Sequence, residues 1–391
     1  MANSREDRMS PSRNLAPGTQ ESTTINRRSF LHVAGAAAAL GTFGAPFVLR
    51  SAEAKNLTKI KMILAWLPGG PYAYAYVARK KGYWAKRGLD VDIARGYGSL
   101  ASAQVVAHGQ FDFGMSNPSS LVLLAAKGVT LNMIGLMDYD PFMAVCMKRD
   151  SPLKKPKDLE VKTVGETLSS SDAAFFPLFC KVNGVDISKV KRLNMDAKVR
   201  NQSIGGGQVD AITGLVSSML PSLETIGVKT KYFLYGDYGV DLYGNIGITA
   251  TAQTVKERPE ICQAFMDGLS EGLRYTLIHP DESTDIFMDA VPALRMNSTG
   301  VDYTKLGMGV QRAGVLATGG AKTHGLGWAD MGKLKQMEKL VMQYQVKPGT
   351  PSPDIEKMFT NKFAGHVKLT DAEWAKAEKE TSNIEKMIRP S

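Results

Sequence analysis

The chain has 391 residues, with 48 lysines and arginines against 38 aspartates and glutamates and a formal net charge of +10. The basic residues lie in small scattered groups, Lys154-Lys155, Lys189 with Lys191-Arg192, Lys229 with Lys231, and Lys333 with Lys335. That is the pattern of solvated faces and excludes a nucleic-acid surface built on one basic element. Cys146, Cys180 and Cys262 are too few and too far apart for a disulfide scaffold; their apolar neighbours make buried thiols the expectation, with one disulfide as the alternative.

The N-terminus carries an export pattern. Asn26-Arg27-Arg28-Ser29-Phe30-Leu31 precedes an apolar run over 33–49, and Ala52-Glu53-Ala54 offers small residues for cleavage. The paired arginines before Ser-Phe-Leu match a twin-arginine signal. The run is rich in Ala and Gly, is broken by Pro46, and falls short of the roughly 20 apolar residues a membrane helix needs. Residues 1–54 are therefore read as a signal peptide cleaved near Ala54, which places the remainder in the periplasm. The remaining length suits two domains.

Past the leader, Ile60, Met62 and Leu64 alternate with Lys59, Lys61 and Ile63, giving a strand. Pro68-Gly69-Gly70-Pro71 breaks it. A helix is predicted over 72–83, Gly88 takes a left-handed turn, and Leu89, Val91 and Ile93 begin a second strand. A unit of this kind implies a parallel pair with a right-handed crossover, and the loop after its first strand is where open α/β sheets bind ligands. A helix over 100–108 follows, then a strand from Phe111 through Phe113 and Met115 that ends at Ser116-Asn117-Pro118. Ser119 starts the next helix. Two strands flank a loop at Asp138-Tyr139-Asp140-Pro141. Further on come a strand at 162–165, the serine loop Glu166 to Asp172, a helix over 173–183, a strand in VKRLNMD, a short helix, and a strand over 209–212. Two more strands enclose a Tyr-rich loop, and an amphipathic helix covers 261–278. The remainder is helix-rich. The alternation makes the class α/β.

Catalytic signals are absent. His32, His108, His279, His324 and His366 are scattered without partners at zinc-ligand spacing. No nucleophile elbow or P-loop occurs; Gly205-Gly206-Gly207 lacks the Lys-Ser/Thr of a phosphate loop and reads as a turn. Asp138 and Asp140 form either an acid pair or the cap of a loop before Pro141. Binding signals are present. Ser169-Ser170-Ser171 at a helix start expose hydroxyls and free N–H groups, or serve simply as an N-cap. Asp172 beside them argues against a strongly anionic ligand group there. Ser116-Asn117 marks a second strand-to-helix junction. Trp66 and Tyr72, flanking Pro68, can stack on a planar ligand or pack on neighbouring helices. Tyr235, Tyr238, Tyr243 and Asn245 lie in the Tyr-rich loop between two later strands, where they are as readily core or rim as ligand contacts. None of the favoured loops holds an arginine; Arg200 reverses that argument if it reaches the cleft.

An ordered set of motifs adds to this. W-x-P, Y-V-A-x-x-K-G-Y, G-L-D-V-x-I and V-x-x-G-x-x-D-F-G in the first half, the segment Ser151 to Gly165, and P-E-I-C-Q-A-F-M-D-G-L-S-E-G-L-R-Y-T-L-I-H-P-D-E further on resemble the periplasmic solute-binding proteins of ABC importers. They resemble the NMT1/THI5-like branch, which handles nitrate, alkylsulfonates, taurine and thiamine-precursor pyrimidines. The resemblance implies a two-lobed, type II Venus-flytrap α/β fold, with residues 55–144 and 246–391 in one lobe and 145–245 in the other. It implies a monomer without a cofactor that delivers a small molecule to membrane permease subunits. The aromatic first loop points to an aromatic or heteroaromatic solute: Trp66, Pro68, Tyr72, Ser116, Asn117, Asp138, Ser169, Ser170, Ser171, Tyr243 and Asn245 are the candidate ligand residues. A sulfonate, taurine or nitrate binder is the alternative. From other classes come a related pyrimidine-forming enzyme using pyridoxal phosphate and a histidine, a periplasmic cofactor enzyme, and a ligand sensor for a membrane kinase.

Overall fold

Strand β1 (Thr58–Ile63) has its alternate residues Ile60 and Met62 buried, and β2 (Leu89–Ala94) buries Leu89 and Val91 in the same rhythm. The two pair in parallel across helix α1 (Ala73–Lys80). This computed structural model describes residues 57–317 and 319–389; the signal-peptide reading lies outside the described residues. The first layer continues with α2 (Ser99–Ala107), β3 (Phe113–Ser116), α3 (Pro118–Ala125) and β4 (Asn132–Asp138). The chain then crosses to a second set: β5 (Met143–Lys148), β6 (Thr163–Glu166), α4 (Ser171–Val182), β7 (Lys191–Asn194), α5 (Ala197–Gly205), β8 (Ala211–Leu215), α6 (Val216–Glu224) and β9 (Thr230–Leu234). It returns in β10 (Ile246–Ala250) and continues in helices only: α7 (Ala252–Glu257), α8 (Pro259–Ile278), α9 (Pro280–Ala290), α10 (Pro292–Arg295), α11 (Gly300–Leu316), α12 (Gly319–His324), α13 (Met331–Gln345), α14 (Ile355–Met358) and α15 (Asp371–Ile388).

The two sheets repeat one plan. The first has the order β2-β1-β3-β10-β4 and the second β7-β6-β8-β5-β9. In each, the fourth strand arrives from the other set and runs antiparallel to both neighbours. This is a two-lobed α/β fold with two crossings between the sheets. At such crossings the carboxyl ends of the parallel strands open toward a shared cleft.

Several elements differ from their predicted spans. The helix expected over 72–83 is a 3-10 turn at Gly70–Tyr72 followed by α1, which stops at Lys80. Gly82 takes φ 70°, and the next turn is drawn to Trp84, whose buried indole donates to Phe265 O at 2.9 Å. The strand expected over 209–212 is shifted toward Leu215, because pairing with β5 runs from Cys146–Ile212 to Met143–Leu215. Asp138, expected in a loop, is the last residue of β4 and pairs with Ile246.

The C-terminal helices reach both sheets. Met308 and Val315 of α11 join the larger hydrophobic core, which holds the buried residues of the first sheet and extends into the second. Val310 and Ala313 on another face, with Ile388 of α15, are buried with Phe142, Ala144, Cys146 and Leu220 of the second. Helix α15 begins in a capping box between Thr370 and Glu373, which pairs two otherwise open N–H groups. The three cysteines are buried and unpaired. Among the described residues no helix is long and apolar enough to cross a membrane.

Candidate functional site

A slot opens where the strand ends of the two sheets meet. The first sheet supplies Ala65 to Tyr72 after β1 and Gly98-Ser99 after β2; the second supplies Ser170 to Asp172 after β6, Arg200 from α5, and Leu215 to Ser218 after β8. Asn245, just before β10, and Tyr303 of α11 complete it. The non-atom space between them, open solvent at the mouth included, is about 560 Å³. The walls lie close together and leave a cavity of about 40 Å³, a thin slot rather than a chamber.

Three helices point their N-termini into it. Helices α2, α4 and α6 begin after Gly98, Ser170 and Leu215, and none of these residues caps its helix with a side chain. The Ser170 hydroxyl turns back to donate to Thr167 O at 2.7 Å. In α6 the Val216 N–H is taken by Phe142 O at 3.0 Å; no capping side chain takes the other first-turn N–H groups, and the helix dipoles make this wall favourable for oxygen acceptors.

The charged pair of the slot is Arg200 with Asp172, 1% and 2% exposed. Arg200 Nε and Nη2 donate to Asn201 Oδ1 at 3.1 and 3.0 Å. Asn201 is itself fixed by donating to Ser218 O and Ser222 Oγ, both at 3.1 Å. The clamp leaves Nη1 3.8 Å from Asp172 Oδ2, an ion pair without a hydrogen bond. Asp172 accepts instead from Thr213 Oγ1 at 2.7 Å. Burial draws the Arg200 guanidinium below its usual range, and Asp172 offsets this in part. The guanidinium carbon lies 5.5 Å from the Trp66 ring centre, within cation–π reach. Donor and acceptor thus sit side by side under one aromatic face.

Behind the first-sheet wall runs a polar relay. Ser116 Oγ donates to Ser99 O at 2.9 Å, and Ser99 Oγ to Asn117 Oδ1 at 2.5 Å. Asn117 Nδ2 donates to Asn245 O and Oδ1 at 2.7 and 3.1 Å, and Asn245 Nδ2 donates to Asp138 Oδ2 at 2.7 Å. Burial pushes the Asp138 carboxyl well above the usual carboxylate range, against the pull of Asn245. Burial and the Asp138 charge push the Tyr72 phenol up.

The structure sorts the candidate residues. Trp66, Tyr72, Ser170, Ser171 and Asn245 line the slot. Ser116, Asn117 and Asp138 stand behind it, spent on the relay. Pro68 is half-buried in the loop beside the lining. Ser169 sits at the lip, where its hydroxyl donates to Tyr97 O across the cleft at 2.5 Å. Tyr243 faces a different cavity of about 290 Å³, with Tyr139, Asp140, Asp237 and Arg389, on the side of the crossings; its hydroxyl accepts from Asp330 N at 3.1 Å. Arg200 does reach the slot. Ser217-Ser218 was missed although it follows a strand as Ser169–Ser171 do. Tyr303 and Asn201 had no signal in the sequence.

Comparisons with known proteins bear on the family and the fold. The model of the NMT1/THI5 like family matches residues 71–283. The formylaminopyrimidine-binding protein of Halalkalibacterium halodurans is 24% identical over 61% of this chain and 72% of its own length. The riboflavin-binding protein RibY of Chloroflexus aurantiacus is 24% identical over 79% of this chain and 86% of its own. A more distant match, 19% identical over 61% of this chain and 75% of its own length, is the 4-amino-5-hydroxymethyl-2-methylpyrimidine phosphate synthase of Legionella pneumophila. Among solved structures, the periplasmic nitrate-binding protein NrtA of Synechocystis PCC 6803 superposes with a TM-score of 0.56 at 11% identity, covering 86% of this chain and 92% of that one. At that identity the likeness speaks for the fold. A family model spanning more than half the chain, on a fold of two matching α/β sheets, settles the membership: this chain belongs to the NMT1/THI5-like family.

Proposed function

We propose that the chain is the extracytoplasmic solute-binding subunit of an ABC importer and that its solute is a planar heteroaromatic molecule carrying carbonyl or other acceptor atoms. The observation that carries this reading is the Arg200–Asp172 pair beside Trp66 in a thin slot bounded by three helix N-termini, Asp172 itself lying in the first turn of α4. An aromatic face favours a flat ring. The donors favour ring oxygens and nitrogens, and Asp172 accepts from an N–H on the same edge. Relatives named as binders of a pyrimidine and of riboflavin support the class. Permease subunits are the partners, the chain is a monomer, and the Arg27-Arg28 leader directs it to the periplasm.

A sulfonate, taurine or nitrate solute is the second reading, favoured by Arg200 reaching the slot. Asp172, 3.8 Å from the guanidinium, offsets the positive charge that a bare anion needs. The synthase reading fits less well. Among the described residues lining the slot there is neither lysine nor histidine, whereas pyridoxal phosphate chemistry is built on a lysine Schiff base. The test is thermal unfolding of the exported chain with 4-amino-5-hydroxymethyl-2-methylpyrimidine, riboflavin, benzoate, taurine and nitrate in turn. A solute at 100 times its dissociation constant adds about 2.7 kcal/mol of stability. A shift with either heteroaromatic compound supports the proposal. A shift with taurine or nitrate alone replaces it with the second reading.

A further inference from the structure

Helix α11 lies beyond the residues that the family model matches, yet it forms part of the slot. Gly307 approaches the Pro71 ring so closely that a Cβ there would lie 3.0 Å from Pro71 Cδ and 3.4 Å from Ser217 O. Gly314 lies against Asp138, where a Cβ would fall 2.2 Å from Oδ1. Helix positions three, four and seven apart share a face. Gln311, four after Gly307 and three before Gly314, therefore belongs to the face that covers Pro71 and Asp138. One turn before Gly307 on this side, Tyr303 lines the slot itself.

Gln311 is fully buried, and neither its amide nitrogen nor its amide oxygen has a hydrogen-bond partner. The Oδ1 of Asp138, on the same side, is also buried without a partner, although Oδ2 accepts from Asn245. Buried polar groups are nearly always paired, and an unpaired one costs more than a typical hydrogen bond contributes. A methionine or leucine would fill this volume without that cost. Packing alone thus gives no reason for an amide here.

We infer that Gln311 reads the inner edge of the bound solute, its amide N–H and amide oxygen pairing with the ligand that fills the slot. The inference rests on the solute-binding reading above and narrows the solute class. A side-chain amide offers a donor and an acceptor side by side. It matches an edge carrying a ring nitrogen or carbonyl next to an amino or N–H group, as in an aminopyrimidine or the dione ring of a flavin. A sulfonate or nitrate only accepts and leaves the amide oxygen unpaired. The inner end of the slot therefore selects donor–acceptor edges over simple anions.

The test compares the wild-type chain with Gln311→Met and Gln311→Leu by calorimetric titration with 4-amino-5-hydroxymethyl-2-methylpyrimidine and with riboflavin, and by urea unfolding without solute. The expected result is an unfolding midpoint at or above wild type in both variants. With it comes about tenfold or greater loss of affinity for the probe that the wild type binds. Unchanged affinity overturns the inference while leaving the solute-binding reading intact. A lowered midpoint, with or without weaker binding, also overturns it, because it assigns the amide a structural role such as holding a buried water. Absence of binding of either probe by the wild type overturns both this inference and the heteroaromatic reading.

Discussion

Replacing Gly98 by alanine should hold the slot open. Gly98 sits at φ 122° and ψ 150°, a region that residues with a Cβ avoid at a cost of roughly 1–3 kcal/mol. It also faces the second sheet across the lip. A Cβ there would lie 2.1 Å from Ser169 O and 2.6 Å from its carbonyl carbon, more than 1 Å inside ordinary contact. The first-sheet side of the joint cannot retreat easily, because Gly98 N donates to Ala65 O at 2.8 Å. The relief available is separation of the two lips, which also loses the Ser169 hydroxyl bond to Tyr97 O. If about 2 kcal/mol of this strain falls on the closed state, the closed-to-open ratio drops some 30-fold, and for a solute-free chain that is mostly open the apparent dissociation constant rises by about the same factor. Calorimetric titration reads the affinity, and solution X-ray scattering of the solute-saturated protein reads the separation. Ser169→Ala, which removes only the hydroxyl bond, should cost less than about tenfold. Wild-type affinity together with wild-type scattering in Gly98→Ala would refute the reasoning, since it would mean that the lip contact does not contribute to closure.

Trp66→Ala should weaken heteroaromatic binding by about tenfold, through loss of the stacking face and of its contact with Arg200; titration calorimetry checks it, and unchanged affinity would count against Trp66 as a ligand face. Asp138 makes stability pH-dependent. Its folded-state carboxyl titrates well above the ordinary 3.8, so its contribution is fully present below about pH 3.8 and is lost as pH rises through the folded value. Asp138→Asn should accordingly flatten the decline on the alkaline side of that point, read as the difference between wild-type and variant urea midpoints across pH. The thiols should be inert in the native protein. Burial pushes Cys262 up to about 11 and Cys180 up to about 12, and raises Cys146 further. A thiol-reactive dye should label none of them until the chain unfolds, when all three react.

The strand–helix–strand unit from Thr58 to Ala94 was legible because its burial follows the period of its sequence, with Ile60, Met62, Leu89 and Val91 all inside. The serine junctions were legible because a strand that ends at serines before a helix must leave N–H groups open, whatever they bind. Arg200 was harder to place. Helix α5 has no apolar period to show which face is inward, and the partners that make a buried guanidinium tolerable include Asp172, on another element. Asp138 read as a loop residue because Asp-Tyr-Asp-Pro carries turn chemistry; the pairing with β10 and the bond from Asn245, 107 residues away, keep it in the strand and bury it. The two faces of α11 were invisible for a different reason. Amphipathicity marks a side of a helix as buried, but not which of two sheets it buries against, so the sequence placed nothing of α11 at the slot.

The most direct test of the central claim is calorimetric titration of the wild-type chain and of Arg200→Met with riboflavin and with 4-amino-5-hydroxymethyl-2-methylpyrimidine. Arg200→Met removes the donor but leaves Asp172 and Thr213 in place. The account predicts saturable binding of one solute per wild-type chain and a loss of at least tenfold in the variant. No binding of either compound to the folded wild-type chain, or binding that ignores the loss of Arg200, would contradict it.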